Sequence, residues 1–422
     1  MTQTTSPSHR CAVEQKNYRG WSAVRLANGI VELFIVPEIG GRVVQLSLGG
    51  SDFFYVNPRH VGRRYPAEEN DFDSGWKNYG GSKVWPAPQG WSSDVEWPGP
   101  PDPILDGGAY SCEILEQRQE TAAIRLESPP DEYTGLTFSR VIRIFQGSAS
   151  VEVHHTMRNT GARGVRWSIW QVTQQPANAD IAIFWRATTY HQLFGDQPYG
   201  HVTSDPEARL CKLRYMDQVA KLATKPEQGW VATLDSRRGT ALVETFPLFP
   251  SLTYPDDAPL ELWVNGHGSF TAHGDRIEMG QDPNGCDAFI ETEILSPLVE
   301  LALQDEYCFR TFWRPTSIKA DAIVSVNDCA AIGRPLKTER QGRNVIVTGS
   351  FGLLRAGKLE LASISRSGRV DEVRTLGPAT PLSPCDLECS IPFRPDLSRI
   401  SLRLRNSCGN LLGTLDSAVI TN

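Results

Sequence analysis

The sequence is short of the features that assign a protein most quickly. None of its apolar runs approaches the length of a membrane span. It has no lysine-arginine cluster, and 42 basic against 49 acidic residues leave a formal charge of −7, so neither nucleic acid nor a membrane surface is an expected partner. The nine cysteines are odd in number and include no CxxC pair; the closest two, Cys385 and Cys389, have no histidine following at metal spacing. They read as mostly buried small apolar residues in a reducing compartment, with neither a disulfide framework nor a metal centre. Met1 to Cys11 is polar and lacks the apolar core of a secretory signal, so a cytoplasmic location is expected. Long amphipathic helical patterns are absent, which removes helical bundles and doubly wound folds. Tryptophan stops at Trp313, although the chain runs to residue 422.

What is present is concentrated in one stretch, Asn78-Tyr79-Gly80-Gly81-Ser82-Lys83-Val84-Trp85-Pro86-Ala87-Pro88-Gln89-Gly90-Trp91. Its glycines, prolines and tryptophans suit neither a helix nor a regular strand. They predict a loop of flat aromatic walls and hydrogen-bonding groups around a polar ligand. Trp76 and Trp97 flank it. Indole faces beside amide and ammonium groups are what a sugar ring requires. A rigid loop that only closes a β-structure has the same composition.

The rest of the chain reads as strands. Residues 1–17 are expected to be disordered or loosely attached. The Asn28-Gly29 pair between two apolar runs signals a hairpin, and Gly40-Gly41 signals a second turn. Residues 59–108 read as one long irregular region. Period-two segments follow, among them 137–144, 150–157 and 166–174, with further runs at 229–234, 240–246, 259–264, 288–295 and 298–303. Residues 318–422 show short strands and turns with the spacing of a separate small β-sandwich. The expectation is an all-β protein: a large β-supersandwich over 18–317 and a small β-sandwich over 318–422.

Glu32-Leu33-Phe34-Ile35-Val36-Pro37-Glu38-Ile39-Gly40-Gly41-Arg42-Val43 resembles the opening of galactose mutarotase-like proteins, where a strand ends in a Pro-x-x-Gly-Gly-Arg-type turn. Asn78-Tyr79-Gly80-Gly81 sits where that superfamily often has Leu-His-Gly-Gly. The string through Gln89, with Leu295-Ser296-Pro297, is similar to the DUF4380 branch. The resemblance spans roughly residues 20–316 and implies a supersandwich with a sugar-binding concave face. It also implies aldose 1-epimerase-like chemistry: a carboxylate takes the anomeric hydroxyl proton while a histidine protonates the ring oxygen. The family base lies in a Leu-Glu-Thr-type strand, matched here by Ile290-Glu291-Thr292. Glu293, two residues on, shares its face. The family histidines align with Gln171 and Tyr79, and a neutral amide cannot supply a proton at neutral pH. That departure leaves Lys83, Tyr79 or His155 as the acid.

The candidate catalytic residues are therefore Glu291, Glu293, Tyr79 and His155. The candidate sugar-binding residues are Arg42, Asn78, Lys83, Trp85, Gln89, Trp91, Trp170 and Gln171. Each has a plainer role open to it. Both glutamates could be solvated strand carboxylates. Arg42 could only brace its turn. His154 and His155, adjacent on a strand, must face opposite ways, and either could be structural. His267, His273 and Asp275 match no standard metal spacing, so no metal and no cofactor are expected. Three readings follow: a sugar epimerase or isomerase acting on a small carbohydrate, a carbohydrate-binding protein without catalysis, or a polysaccharide lyase or hydrolase. Asn78, Tyr79, Arg42 and Gln171 fit the lyase reading in composition.

Overall fold

A computed structural model describes residues 10–66, 69, 75–90, 93, 95–272, 274–280 and 288–420. Among them there is no α-helix, and none is therefore long and apolar enough to cross a membrane. The alternating segments pair as their period requires. One twelve-stranded sheet runs Ala12–Tyr18, Trp21–Ala27, Val31–Val36, Arg42–Leu48, Ser82–Ala87, Val165–Pro176, Phe289–Leu295, Leu260–Asn265, Ala220–Thr224 and Tyr190–Phe194, with two short strands off this path. A ten-stranded sheet packs against it; its centre holds Thr240–Thr245, Glu306–Ser317, Val151–Asn159 and Leu136–Phe145. The core between the sheets takes one side of every central strand, as in Leu136–Phe145, where buried and half-buried residues alternate without a break.

The Asn28 hairpin forms, and its side chain explains the turn. The Asn28 amide oxygen accepts the N–H groups of Ile30 and Val31, both at 2.9 Å, while its NH₂ donates to the carbonyls of Phe145 and Ser148.

Two expectations are corrected. Residues 12–17 are not loosely attached: Ala12–Tyr18 pairs along its whole length with Trp21–Ala27, and Val13 and Tyr18 are buried. Residues 82–87 are not loop: Ser82–Ala87 is an inner strand between Arg42–Leu48 and Val165–Pro176. The preceding glycines allow this placement. Gly80 and Gly81 lie at φ +88° and +72°, and a Cβ on them would stand 2.2 Å from the Tyr55 carbonyl oxygen and 2.4 Å from that of Val43. Only glycine lets the chain enter the sheet that close to its neighbours. Pro86, which lacks an N–H, is carried within the strand at Ile169.

Beyond Ser317, where the last large-sheet strand ends, two four-stranded sheets enclose their own core of Val345, Phe351, Leu361 and Leu402. We propose a domain boundary there, near residue 318. The unit is tied to the large sheets by Ile318, Ile323 and Ala331 packing on Phe184 and Trp230. Thr316 Oγ1 also donates to the Leu353 carbonyl at 2.6 Å.

Candidate functional site

The outer face of the twelve-stranded sheet, away from the ten-stranded one, is set by register. Lys83 and Trp85 lie opposite Val172 and Trp170; Gln174 lies opposite Glu291, and Val172 opposite Glu293. Glu291 and Glu293 face Trp263 and Glu261 on the next strand, and Trp263 faces Lys221 on the one after. Strand periodicity then puts Lys83, Trp85, Trp170, Gln174, Glu291, Glu293, Glu261 and Lys221 on one side. Five of these are ionisable, and none exceeds 7% exposure.

They form two linked groups. Lys83 Nζ lies 3.2 Å from Glu291 Oε1, which also accepts from Gln174 Nε2 at 2.6 Å. The same ammonium sits 4.3 Å from the Trp85 ring and 5.0 Å from that of Trp76. Lys221 Nζ bridges Glu261 Oε2 at 2.7 Å and Glu293 Oε2 at 3.0 Å, and lies 4.6 Å from the Trp170 ring. Trp170 Nε1 donates to Glu293 Oε2 at 2.9 Å. Three polar atoms on these buried side chains have no partner among the described residues: Trp85 Nε1, Gln174 Oε1 and Glu261 Oε1.

Burial governs the protonation of this face. It pushes both Glu293 and Glu261 up, against the opposing pull of Lys221. Burial works against the Lys221 ammonium too, but Glu261 and Glu293 hold it above the ordinary lysine range. Lys83 is pushed down by burial, with Glu291 opposing. Burial thus favours a proton held between Glu261 and Glu293, while Lys221 stays charged. A cavity of about 260 Å³ opens on this group, lined by Trp170, Lys221, Glu261, Gln89, Phe194 and Asp256 among others. Three carboxyl groups and two lysines buried beside a cavity, where apolar residues are often as stable or more so, make this face the candidate site.

Glu291, Glu293, Lys83, Trp85 and Trp170 therefore come together on one face, with Gln89 at the cavity wall. The other candidates lie elsewhere. Gln171 and His155 are turned into the core between the sheets. His155 Nε2 lies 2.8 Å from Gln171 Oε1, and Gln171 Nε2 donates to Glu244 at 3.1 Å. The odd-even alternation that puts Trp170 outside puts Gln171 inside. Tyr79 packs with Trp21, Val36 and Val44 under the sheet's edge, and burial pushes its hydroxyl up. Arg42 braces its turn. Its guanidinium is buried, paired with Asp106 at 2.6 Å and donating to the carbonyls of Ile39, Gly80 and Asp106. Asn78 accepts the N–H of Gly80 and shapes the same turn. Trp91 and His273 lie outside the described residues.

Sequence reasoning missed Lys221, Glu261 and Gln174. A signal existed for the first two: each is a lone charge inside a short apolar strand, Ala220-Lys221-Leu222 and Leu260-Glu261-Leu262. Asp106, which accepts from Trp76 Nε1 at 2.7 Å and so holds that ring near Lys83, was also unmarked.

Residues 22–313 match the family described as a domain of unknown function, DUF4380. The chain belongs to that family. Among solved structures it is similar to a galactose mutarotase-like protein from Clostridium acetobutylicum, at 11% identity over 73% of this chain and 99% of the other, with a TM-score of 0.46. It is similar to a galactose mutarotase related enzyme from Lactobacillus acidophilus at 9% identity, covering 70% and 98%, with a TM-score of 0.41. A third is a TPR-domain containing protein from Parabacteroides distasonis at 13% identity and TM-score 0.46, where 73% of this chain spans about half, 48%, of that protein. Among curated proteins no match was found.

Proposed function

We propose that this DUF4380 protein is a carbohydrate-active enzyme of the aldose 1-epimerase kind, working on a free sugar at the outer face of the twelve-stranded sheet. The observation that carries the reading is the pairing of Lys83–Glu291–Gln174 with Lys221–Glu293–Glu261 on one buried face beside a cavity. Glu291 and Glu293 are two residues apart on one strand, about 6–7 Å along it. Glu291, paired with the Lys83 ammonium and accepting from the Gln174 amide, is the base that takes the proton of the anomeric hydroxyl. The C1–O5 bond breaks as the carbonyl forms at C1. The ring oxygen takes a proton from Glu293, whose carboxyl burial favours in the protonated form beside the Glu261 carboxylate. Reclosure on the other face of the aldehyde returns both protons. Trp170 and Trp85 offer the apolar faces, and Gln174 Oε1 and Trp85 Nε1 offer an acceptor and a donor for hydroxyls.

The test is anomeric exchange by NMR on a panel of free aldoses. Exchange faster than buffer is expected for at least one sugar. Glu291→Gln, which keeps size but removes the proton acceptor, is expected to slow it on the order of 10²–10⁴-fold. Undiminished exchange in Glu291→Gln overturns the mechanism. Sugar binding without exchange across the panel replaces it with a binding protein, and unsaturated products replace it with a lyase.

A further inference from the structure

The charges around the cavity do not balance. Lys83 and Glu291 form a pair of their own. With the shared proton on Glu293, what remains is the Glu261 and Asp256 carboxylates against the single ammonium of Lys221. Asp257, beside Asp256, is already engaged by Lys225. Glu261 gives one oxygen to Lys221, while its other oxygen, Oε1, is buried with no partner among the described residues. A carboxylate oxygen only accepts, so its complement is an N–H or O–H donor, and a charged donor satisfies it most strongly.

The same cavity takes a second carboxylate by an unusual route. Asp256 sits in a 3₁₀ turn, Pro255–Asp257, at φ +49°, and Asp257 follows at φ +56°. Left-handed backbone at two consecutive non-glycine residues is costly and persists where the surroundings enforce it. Here the turn is closed by the Ala258 N–H on the Pro255 carbonyl at 3.0 Å. The result brings the Asp256 side chain to the cavity that Glu261 lines. Trp170 and Phe194 line the same cavity and supply aromatic surface, and Trp170 already carries one ammonium at 4.6 Å. Aromatic faces beside carboxylates suit an organic cation. A metal ion is poorly served, because among the described residues no three His, Cys, Asp or Glu side chains converge as a metal would require. The cavity, about 260 Å³, falls below the ~300–1,000 Å³ of drug-sized sites and suits a single ring rather than a chain.

We propose that the substrate of this face is an amino sugar, a monosaccharide whose protonated amine docks between Glu261 and Asp256. This rests on the carbohydrate reading above and narrows it. The ammonium takes Glu261 Oε1, supplies the missing positive charge, and lies against the indole of Trp170. Acidic sugars are rejected by the same carboxylates.

The test is calorimetric binding at pH 7 of glucosamine and galactosamine against glucose, galactose and the two N-acetylated forms, whose amide carries no charge. At least one amine is expected to bind about tenfold or more tighter than both its neutral parent and its acetylated form. Asp256→Asn, at an exposed position, is expected to shrink that preference to about threefold or less while the fold is unchanged. Glu261→Gln is expected to do the same. Equal binding of amine and parent, or tighter binding of an acetylated or acidic sugar, overturns the amine assignment. If a neutral aldose is then still epimerised, the function stands and only the amine falls. If no sugar of any kind binds, the carbohydrate reading falls with it.

Discussion

The twelve-stranded sheet buries polar groups on both faces, and the two faces use them differently. On the inner face, Glu244 accepts from Gln171 and Thr173 at 3.1 and 3.2 Å, from Trp313 at 3.2 Å, and from Thr292. His155 and Thr311 close the chain on Gln171, and Arg140 donates to the Ser82 carbonyl at 3.1 Å. His155 and Arg140 have no exposed surface. This is a cross-linking network, although His155 Nδ1 and Arg140 Nε are buried without a partner among the described residues. On the outer face the carboxylates outnumber the cations, three acceptors and donors lack partners, and a cavity reaches the group. Buried polarity by itself therefore does not mark a site. What sets the outer face apart is the cavity that reaches it and its surplus of carboxyl groups over ammonium groups.

The comparison breaks most visibly at Glu244. Glu244→Ala removes an acceptor from four buried donors, of which Thr173 keeps Ser82 Oγ at 3.4 Å, at roughly 1–3 kcal/mol for each left without a partner. A loss of about 4 kcal/mol or more in urea unfolding is expected, with anomeric exchange per folded molecule retained. Full stability in that variant would show that the inner network binds nothing together. Lost exchange with retained fold would show that the inner face takes part in the chemistry.

The outer face should respond the opposite way. Replacing Lys83 and Glu291 together by methionine exchanges a buried ion pair for apolar bulk, which is often neutral or stabilising by about 1–4 kcal/mol. Unfolding midpoints at or above wild type are expected, with exchange reduced to the buffer rate. A large stability loss in the double variant would make the pair structural and remove Glu291 as the base.

Those contrasts also explain what the sequence made legible. Period-two runs such as Leu136–Phe145 and the Asn28-Gly29 turn are local, so the strands and the first hairpin could be read. The choice of face is not local. Trp170 and Gln171 are neighbours in one strand, and only sheet order decides that Trp170 meets Trp85 outside while Gln171 meets Glu244 inside. Lys83 and Lys221 are distant in sequence and share a face because three strands intervene between theirs. Glu291 was visible through its resemblance to a family motif. Glu261, in a strand without one, was not. The glycines at 80 and 81 read as loop punctuation because their close approach to Tyr55 and Val43 exists only in the folded sheet.

The smallest expected effect is in acid, and its sign distinguishes two inner-face groups. Burial, then the nearby Arg140 charge, pushes His155 down from 6.5 to about 3, with the Gln171 hydrogen bond opposing. The folded state therefore binds fewer protons than the unfolded state between those values. His155 contributes stability that is fully present above pH 6.5 and is lost as pH falls toward 3. Glu244 runs the other way. Burial raises it from 4.5 to about 7, so its contribution is present below pH 4.5 and is lost as pH rises through 7. Between pH 4.5 and 6.5 the two slopes oppose each other, and the wild-type stability profile should be nearly flat there from this pair. His155→Gln keeps a donor toward Gln171 Oε1 and removes one slope. Relative to wild type, the variant should gain on the order of 2 kcal/mol between pH 6.5 and 5, since each pH unit below the unfolded value is worth about 1.36 kcal/mol. Urea unfolding of both proteins across that window measures the difference, and the imidazole signals of wild type report it independently. A His155 ring that titrates near 6.5, or a variant whose profile tracks wild type, would mean the inner face admits charge and solvent, and the contrast between the two faces would fail.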